Sequence, residues 1–246
     1  MRAPFGSVAA RLSSVVGPRD RRMKPLQHES LAEMSESALV HALLADAHWR
    51  SRVTNIHGIP DDAVPYPEVP LGNLGNGDVD ILLVPPTDFS RATAVQVKRI
   101  KVHEPTFATQ MPGKLSEIRK LQRQTNLLAG LGFWQVYSFV FVVVDSRANN
   151  GNLLNYAGLT PALRSKIESS ISVDGLASSV GLLHFELVQP LDHYPLGAGT
   201  FSARVKRLAQ YREQSSNVTE WVRHSVESRQ AQQALQPDRR ENAAPG

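Results

Sequence analysis

Apolar positions along the chain change their spacing several times, and each change marks an element. Over Ser35–Arg50, Leu39, Leu43, Leu44 and Ala47 recur at helical intervals. That spacing predicts one amphipathic helix, with Ser35 or Ser37 as its cap, ending before Gly58-Ile59-Pro60. The next stretch, Asp61–Leu74, is rich in Pro, Gly and Asn. There Val64, Tyr66, Glu68 and Val69 predict a short strand with prolines at its edges. After a turn at Asn73–Gly77, the run Val79–Val84 reads as a strongly apolar strand stopped by Pro85-Pro86. Ala92–Val102 is β-branched, bounded by turn residues, and predicts a second strand.

Lys114–Leu131 carries Leu115, Ile118, Leu121, Leu127 and Leu128 at helical intervals, with Gly130 and Gly132 where such a helix should stop. Phe133–Asp145 is apolar almost without interruption, which predicts a central strand buried on both faces. Further on, the pattern predicts a helix at Thr160–Ser170 and a strand at Gly181–Val188. Two polar helices are then expected, at Ser202–Arg212 and Val218–Ala234. Helices interleaved with strands predict an α/β domain around one mixed sheet flanked by helices, with helices added at the C-terminal end.

Composition narrows the chemistry. The chain of 246 residues contains no cysteine, which excludes thiol catalysis, disulfides and Cys-ligated zinc. No apolar run is long enough for a helix to span a bilayer, so no membrane partner is expected. Residues 1–27 lack the long apolar stretch of a secretory signal; they read as a disordered arm or a start assigned too early, and the expected location is cytoplasmic. The tail at 236–246 reads as disordered. A net charge of +4 is compatible with a polyanionic partner. No Gly-x-Ser-x-Gly elbow and no Gly-Lys-Ser/Thr phosphate loop is present, so serine hydrolysis and nucleotide hydrolysis lack support.

The residues that could carry chemistry lie between Asp78 and Lys101. Asp78 and Asp80 open one strand; on the next, Gln96 and Lys98 share a face while Val95 and Val97 share the other. An antiparallel pairing would gather a carboxylate, an amide and an ammonium around one small volume. Mg²⁺ or Mn²⁺ takes oxygen ligands, and Asp80, the Gln96 side chain and the Val97 carbonyl could supply them. Lys98 could orient water or stabilise phosphate charge. Such a trio suits phosphodiester hydrolysis. His41 and His48 are two turns apart, and with His57 and His103 they read as ordinary surface or loop histidines.

The segments Gly77-Asp78-Val79-Asp80-Ile81-Leu82-Leu83-Val84 and Ala94-Val95-Gln96-Val97-Lys98 resemble the motif pair of the PD-(D/E)XK nucleases, restriction-endonuclease-like proteins, in their Gln-x-Lys form. The resemblance spans the first half of the chain and implies an αβββαβ core over Ser35–Asp145. It implies that Asp80 and Gln96 bind the metal, that Lys98 is catalytic, and that an acid from the first helix, Glu36 ahead of Glu33, assists. Glu68 is an extra acid. Lys101, Lys114, Arg119, Gln122 and Arg123 would contact nucleic acid, DNA ahead of RNA. Gln96 keeps an oxygen acceptor but lacks the usual charge, which shifts cation binding onto Asp80 and Glu36. The implied organisation is a nuclease domain at 28–200 and a helical extension at 201–235. The implied function is metal-dependent endonuclease activity, in restriction or anti-phage defence. The alternative is an inactive module of the same fold that binds nucleic acid or a protein. A protein partner for targeting and a homodimer both stay open.

Overall fold

A computed structural model describes residues 31, 33–55, 58–103, 116–145, 159, 161–189 and 201–235. The regions 1–27 and 236–246, and the residues His57 and Lys114, lie outside them. A six-stranded mixed sheet in the order β1-β2-β3-β4-β5-β6 forms the centre. Its strands are β1 (Val64–Pro70), β2 (Asp78–Val84), β3 (Thr93–His103), β4 (Gln135–Asp145), β5 (Gly181–Gln189) and β6 (Phe201–Arg207). The β1–β2, β2–β3 and β5–β6 pairs are antiparallel, and β3, β4 and β5 run parallel. Parallel strands require crossovers, and α3 (Ile118–Leu131) lies between β3 and β4 while α4 (Pro161–Ser170) lies between β4 and β5.

Every residue of β4 is buried, as its unbroken apolar run predicts for a central strand. The two faces of the sheet carry separate apolar layers. On one face, α1 (Glu36–Ala45) and α2 (Ala47–Thr54) pack Leu39, Leu43, Trp49 and Val53 against Ile81, Val95, Val97, Phe139 and Phe185. On the other, α3, α4 and α5 (Ser216–Leu235) bring Leu121, Leu128, Ile167, Val218 and Trp221 against Leu82, Ala94, Ile100 and Val140. α3 stops at Gly132, whose φ of 91° is a left-handed conformation that glycine tolerates best. Among the described residues, no helix is long and apolar enough to cross a membrane.

Two predicted elements differ. The expected single N-terminal helix is broken at Asp46, which is extended and accepts hydrogen bonds from the His48 and Trp49 N–H groups. A short acid at that position caps a second helix better than it continues the first. His41 and His48 therefore belong to different helices.

The expected helix at Ser202–Arg212 is instead β6, paired with β5, followed by irregular chain. Five of its seven residues are exposed, so the apolar alternation that usually betrays a strand is missing. Thus residues 201–207 complete the sheet rather than begin a helical extension, and α5 contributes to the same core.

Candidate functional site

The antiparallel hairpin of β2 and β3 pairs Ile81 with Val95, Leu82 with Ala94 and Leu83 with Thr93, and goes no further. β3 stays paired with β4 as far as His103. Past Val95, then, β3 has lost its neighbour on one edge, and two backbone N–H groups on that edge need other acceptors. Side-chain carboxylates take the place of the missing strand. Asp80 Oδ2 accepts from Val97 N at 2.6 Å, and Glu36 Oε2 accepts from Arg99 N at 2.6 Å. The point where the sheet splits is thus where the acids of β2 and α1 converge on β3.

The remaining predicted residues fall around this split. Gln96 is 4% exposed and donates its amide N–H to the Asp78 carbonyl at 2.7 Å. Strand alternation puts Lys98 on the same face. Its Nζ lies 2.7 Å from Glu117 and 3.4 Å from Glu36. Burial alone would pull the Lys98 ammonium down, but Glu117 and Glu36 together outweigh it, and its pKa lies above the ordinary lysine value. A lysine so held is a fixed positive charge rather than a base.

Asp80 is the opposite case. Burial pushes its carboxyl up, the Val97 N–H pulls it back, and the charges of Asp78, Glu36 and Glu68 push it up again, to about 7. Glu68, on β1, bonds His41 Nε2 at 3.2 Å, and a hydrogen bond with Ser37 is the first of the causes holding its own pKa low. Its φ of +49° is unusual for a residue with a side chain. Arg229 of α5 fixes it there by donating to the carbonyls of Pro67 and Glu68 at 2.7 and 2.6 Å.

Asp80 and Glu36 thus take two N–H groups of the strand that carries Gln96 and Lys98, Glu36 also reaches Lys98, and Gln96 bonds the Asp78 backbone, while Glu33 is exposed. The residue missed is Glu117, just ahead of α3. An acid opening the helix that follows the Lys98 strand was the available signal.

The expected nucleic-acid contacts separate. Arg119 and Arg123 are exposed on α3. Gln122 is committed elsewhere, donating to the carbonyls of Ser172 and Asp174, so its expected contact with nucleic acid is not supported. Lys101 alternates onto the face of β3 opposite Gln96 and Lys98. The basic side chains of β6 are also engaged: Arg204 and Lys206 pair with Glu168, and Arg207 donates to the Val180 and Ala177 carbonyls.

Chemically, the site offers a carboxylate that resists ionisation without a cation, a buried amide, a strand carbonyl at Val97 and a fixed ammonium. Among the described residues, no three acidic or histidine side chains converge at metal-ligand distance. A cation here would lean on amide and backbone oxygens beside Asp80, completed by water.

No protein-family model matches the chain, and no curated protein does so. Among solved structures, the chain is similar to a protein of unknown function from Silicibacter pomeroyi. The TM-score is 0.33 at 12% identity, covering 87% of this chain and 92% of that one. The comparisons therefore assign the chain to no family.

Proposed function

We propose that the protein is a metal-dependent nuclease of the PD-(D/E)XK type, hydrolysing phosphodiester bonds in DNA ahead of RNA. The observation that supports this reading is the split of β3 from β2, with Asp80, Gln96, Lys98 and Glu36 gathered at it.

In this reading Asp80, the Gln96 side-chain oxygen and the Val97 carbonyl hold Mg²⁺ or Mn²⁺, and Glu36 is the second acid. The donor chemistry fits. An aspartate whose pKa is raised by burial and by neighbouring acids is relieved by a divalent charge, and the Gln96 N–H is already spent on Asp78, leaving its oxygen as the end for a cation. When bound, such a cation polarises the phosphate and acidifies its water. Lys98, kept protonated, places its ammonium where negative charge builds on the phosphate oxygens. Glu117 and Glu36 aim that ammonium. Gln96 and the Val97 N–H keep Asp80 and β3 in register at the split.

Supercoiled and linear DNA, and RNA, would be incubated with the purified protein in Mg²⁺, Mn²⁺ or chelator. Wild type should cleave only with the cation, and Asp80→Asn and Lys98→Ala should each lose about 100-fold or more. Equal cleavage by all three proteins would overturn the reading.

One observation favours a second reading, a non-catalytic module of the same kind. Gln96 lacks the acid's charge, and Lys98 is already matched by two carboxylates. Nucleic-acid binding without cleavage under any divalent cation would select it.

A further inference from the structure

A groove of about 1200 Å³ runs between β1 and α5, lined among others by His41, Tyr66, Asn73, Trp221, His224 and Arg229. Resting on the nuclease reading, we propose that this groove binds a single strand of nucleic acid and leads it to the Asp80 site.

Size is the first argument. Small-molecule sites typically enclose roughly 300–1,000 Å³, and this groove exceeds that range, as a chain-like occupant would require. Charge is the second. Among the described residues no acid lines the groove, whereas an arginine and two histidines do, one of them, His41, bonded to Glu68. The half-buried Tyr66 ring beside cationic and amide side chains suits a strand whose phosphates need counter-charge and whose bases need a flat face.

The edge of β1 decides between nucleic acid and an extended peptide. A peptide would bind such an edge by adding a strand. Pro65, Pro67 and Pro70 have no N–H to donate, and Arg229 already occupies the Pro67 and Glu68 carbonyls. Continuity with the site is the last argument. His41 both lines the groove and bonds Glu68, whose charge acts on Asp80.

The test uses the full chain in chelator, with fluorescent short single-stranded DNA followed by anisotropy across a salt series. Duplex DNA and a proline-rich peptide serve as competitors. Two variants place acids on exposed groove residues of opposite walls: His224→Glu with Gln232→Glu on α5, and Asn73→Glu beside β1. Each is first checked for wild-type thermal melting, so one well-folded variant suffices. The expected result is salt-dependent binding of the single strand, preferred over duplex and peptide, weakened about ten-fold or more in the variants. Unchanged binding in a folded variant, equal binding of duplex, or displacement by the peptide would overturn the proposal.

Cleavage assays separate this proposal from the one it rests on. A raised KM at unchanged kcat in the groove variants supports both. Asp80-dependent cleavage with an unchanged KM in those variants removes the groove alone. Groove-dependent binding with no cation-dependent cleavage removes the nuclease reading alone.

Discussion

Asp80 is held between one backbone N–H, which favours its anion, and burial beside three other acids, which does not. The balance puts its pKa at about 7 in the folded protein against 3.8 for an ordinary aspartate. The native state therefore binds more protons than the unfolded chain between about pH 4 and pH 7, and stability from this group is lost as pH rises through that window. Asp80→Asn keeps an acceptor for the Val97 N–H and removes the charge. It should stabilise the protein by on the order of 2 kcal/mol at pH 8, partial exposure screening some of the roughly 4 kcal/mol implied by the shift. Near pH 4 it should change little. Urea unfolding at both pH values measures this, and an equal effect at both would contradict the assignment. Mg²⁺ should raise the melting temperature of wild type at pH 8 more than that of the variant. At this scale the sequence was readable where chemistry follows strand alternation: Gln96 and Lys98 share a face of β3 by period-two geometry, and Asp80 reaches the Val97 N–H where the hairpin pairing ends. Glu117 was signalled only as an acid opening the next helix; its pairing was hidden, because it lies 19 positions beyond Lys98 and reaches it only through the docking of α3 against the sheet.

Strands with strong apolar runs were legible for the same reason, and β6 was not. Its exposed Ser202, Ala203, Arg204, Val205 and Lys206 bury no apolar face, and residues such as Ala, Arg and Lys suit a helix as readily as an edge strand. The break at Asp46 depended on a cap, which weighs only about 1 kcal/mol and is easily hidden inside a helical pattern. Between β4 and β5 the demand is steric. Gly181 lies opposite Tyr137, and a Cβ there would run into the Tyr137 ring and stand 2.7 Å from the Ala209 backbone nitrogen. Gly181→Ala should therefore cost about 3 kcal/mol, as overpacking a buried site does. Chemical denaturation provides the check, and a loss under 1 kcal/mol would mean β5 shifts freely.

Across the whole molecule, one buried side chain ties the C-terminal part to the sheet. Gln214 accepts from the Ala92 and Trp134 N–H groups and donates to the Phe89 carbonyl and the Thr219 hydroxyl. Gln214→Leu would strand two N–H groups and a carbonyl, and should destabilise by roughly 2–4 kcal/mol. Calorimetry should show it as a lowered melting temperature with one transition, since α5 and the sheet share a core.

The split between β2 and β3 has a kinetic consequence. β1, β2 and β3 form a meander of neighbours in sequence, joined by short loops that close early, whereas β3, β4 and β5 join in parallel only after long crossovers. Glu36 comes from before the meander and Glu117 from after it. A chain that has formed only its local hairpins has Asp80 and Lys98 but neither carboxylate that aims the lysine, so the centre assembles among the last events of folding. On the proposed nuclease reading, refolding followed by cleavage should lag behind refolding followed by backbone circular dichroism, and incompletely folded chains released during synthesis would not cut.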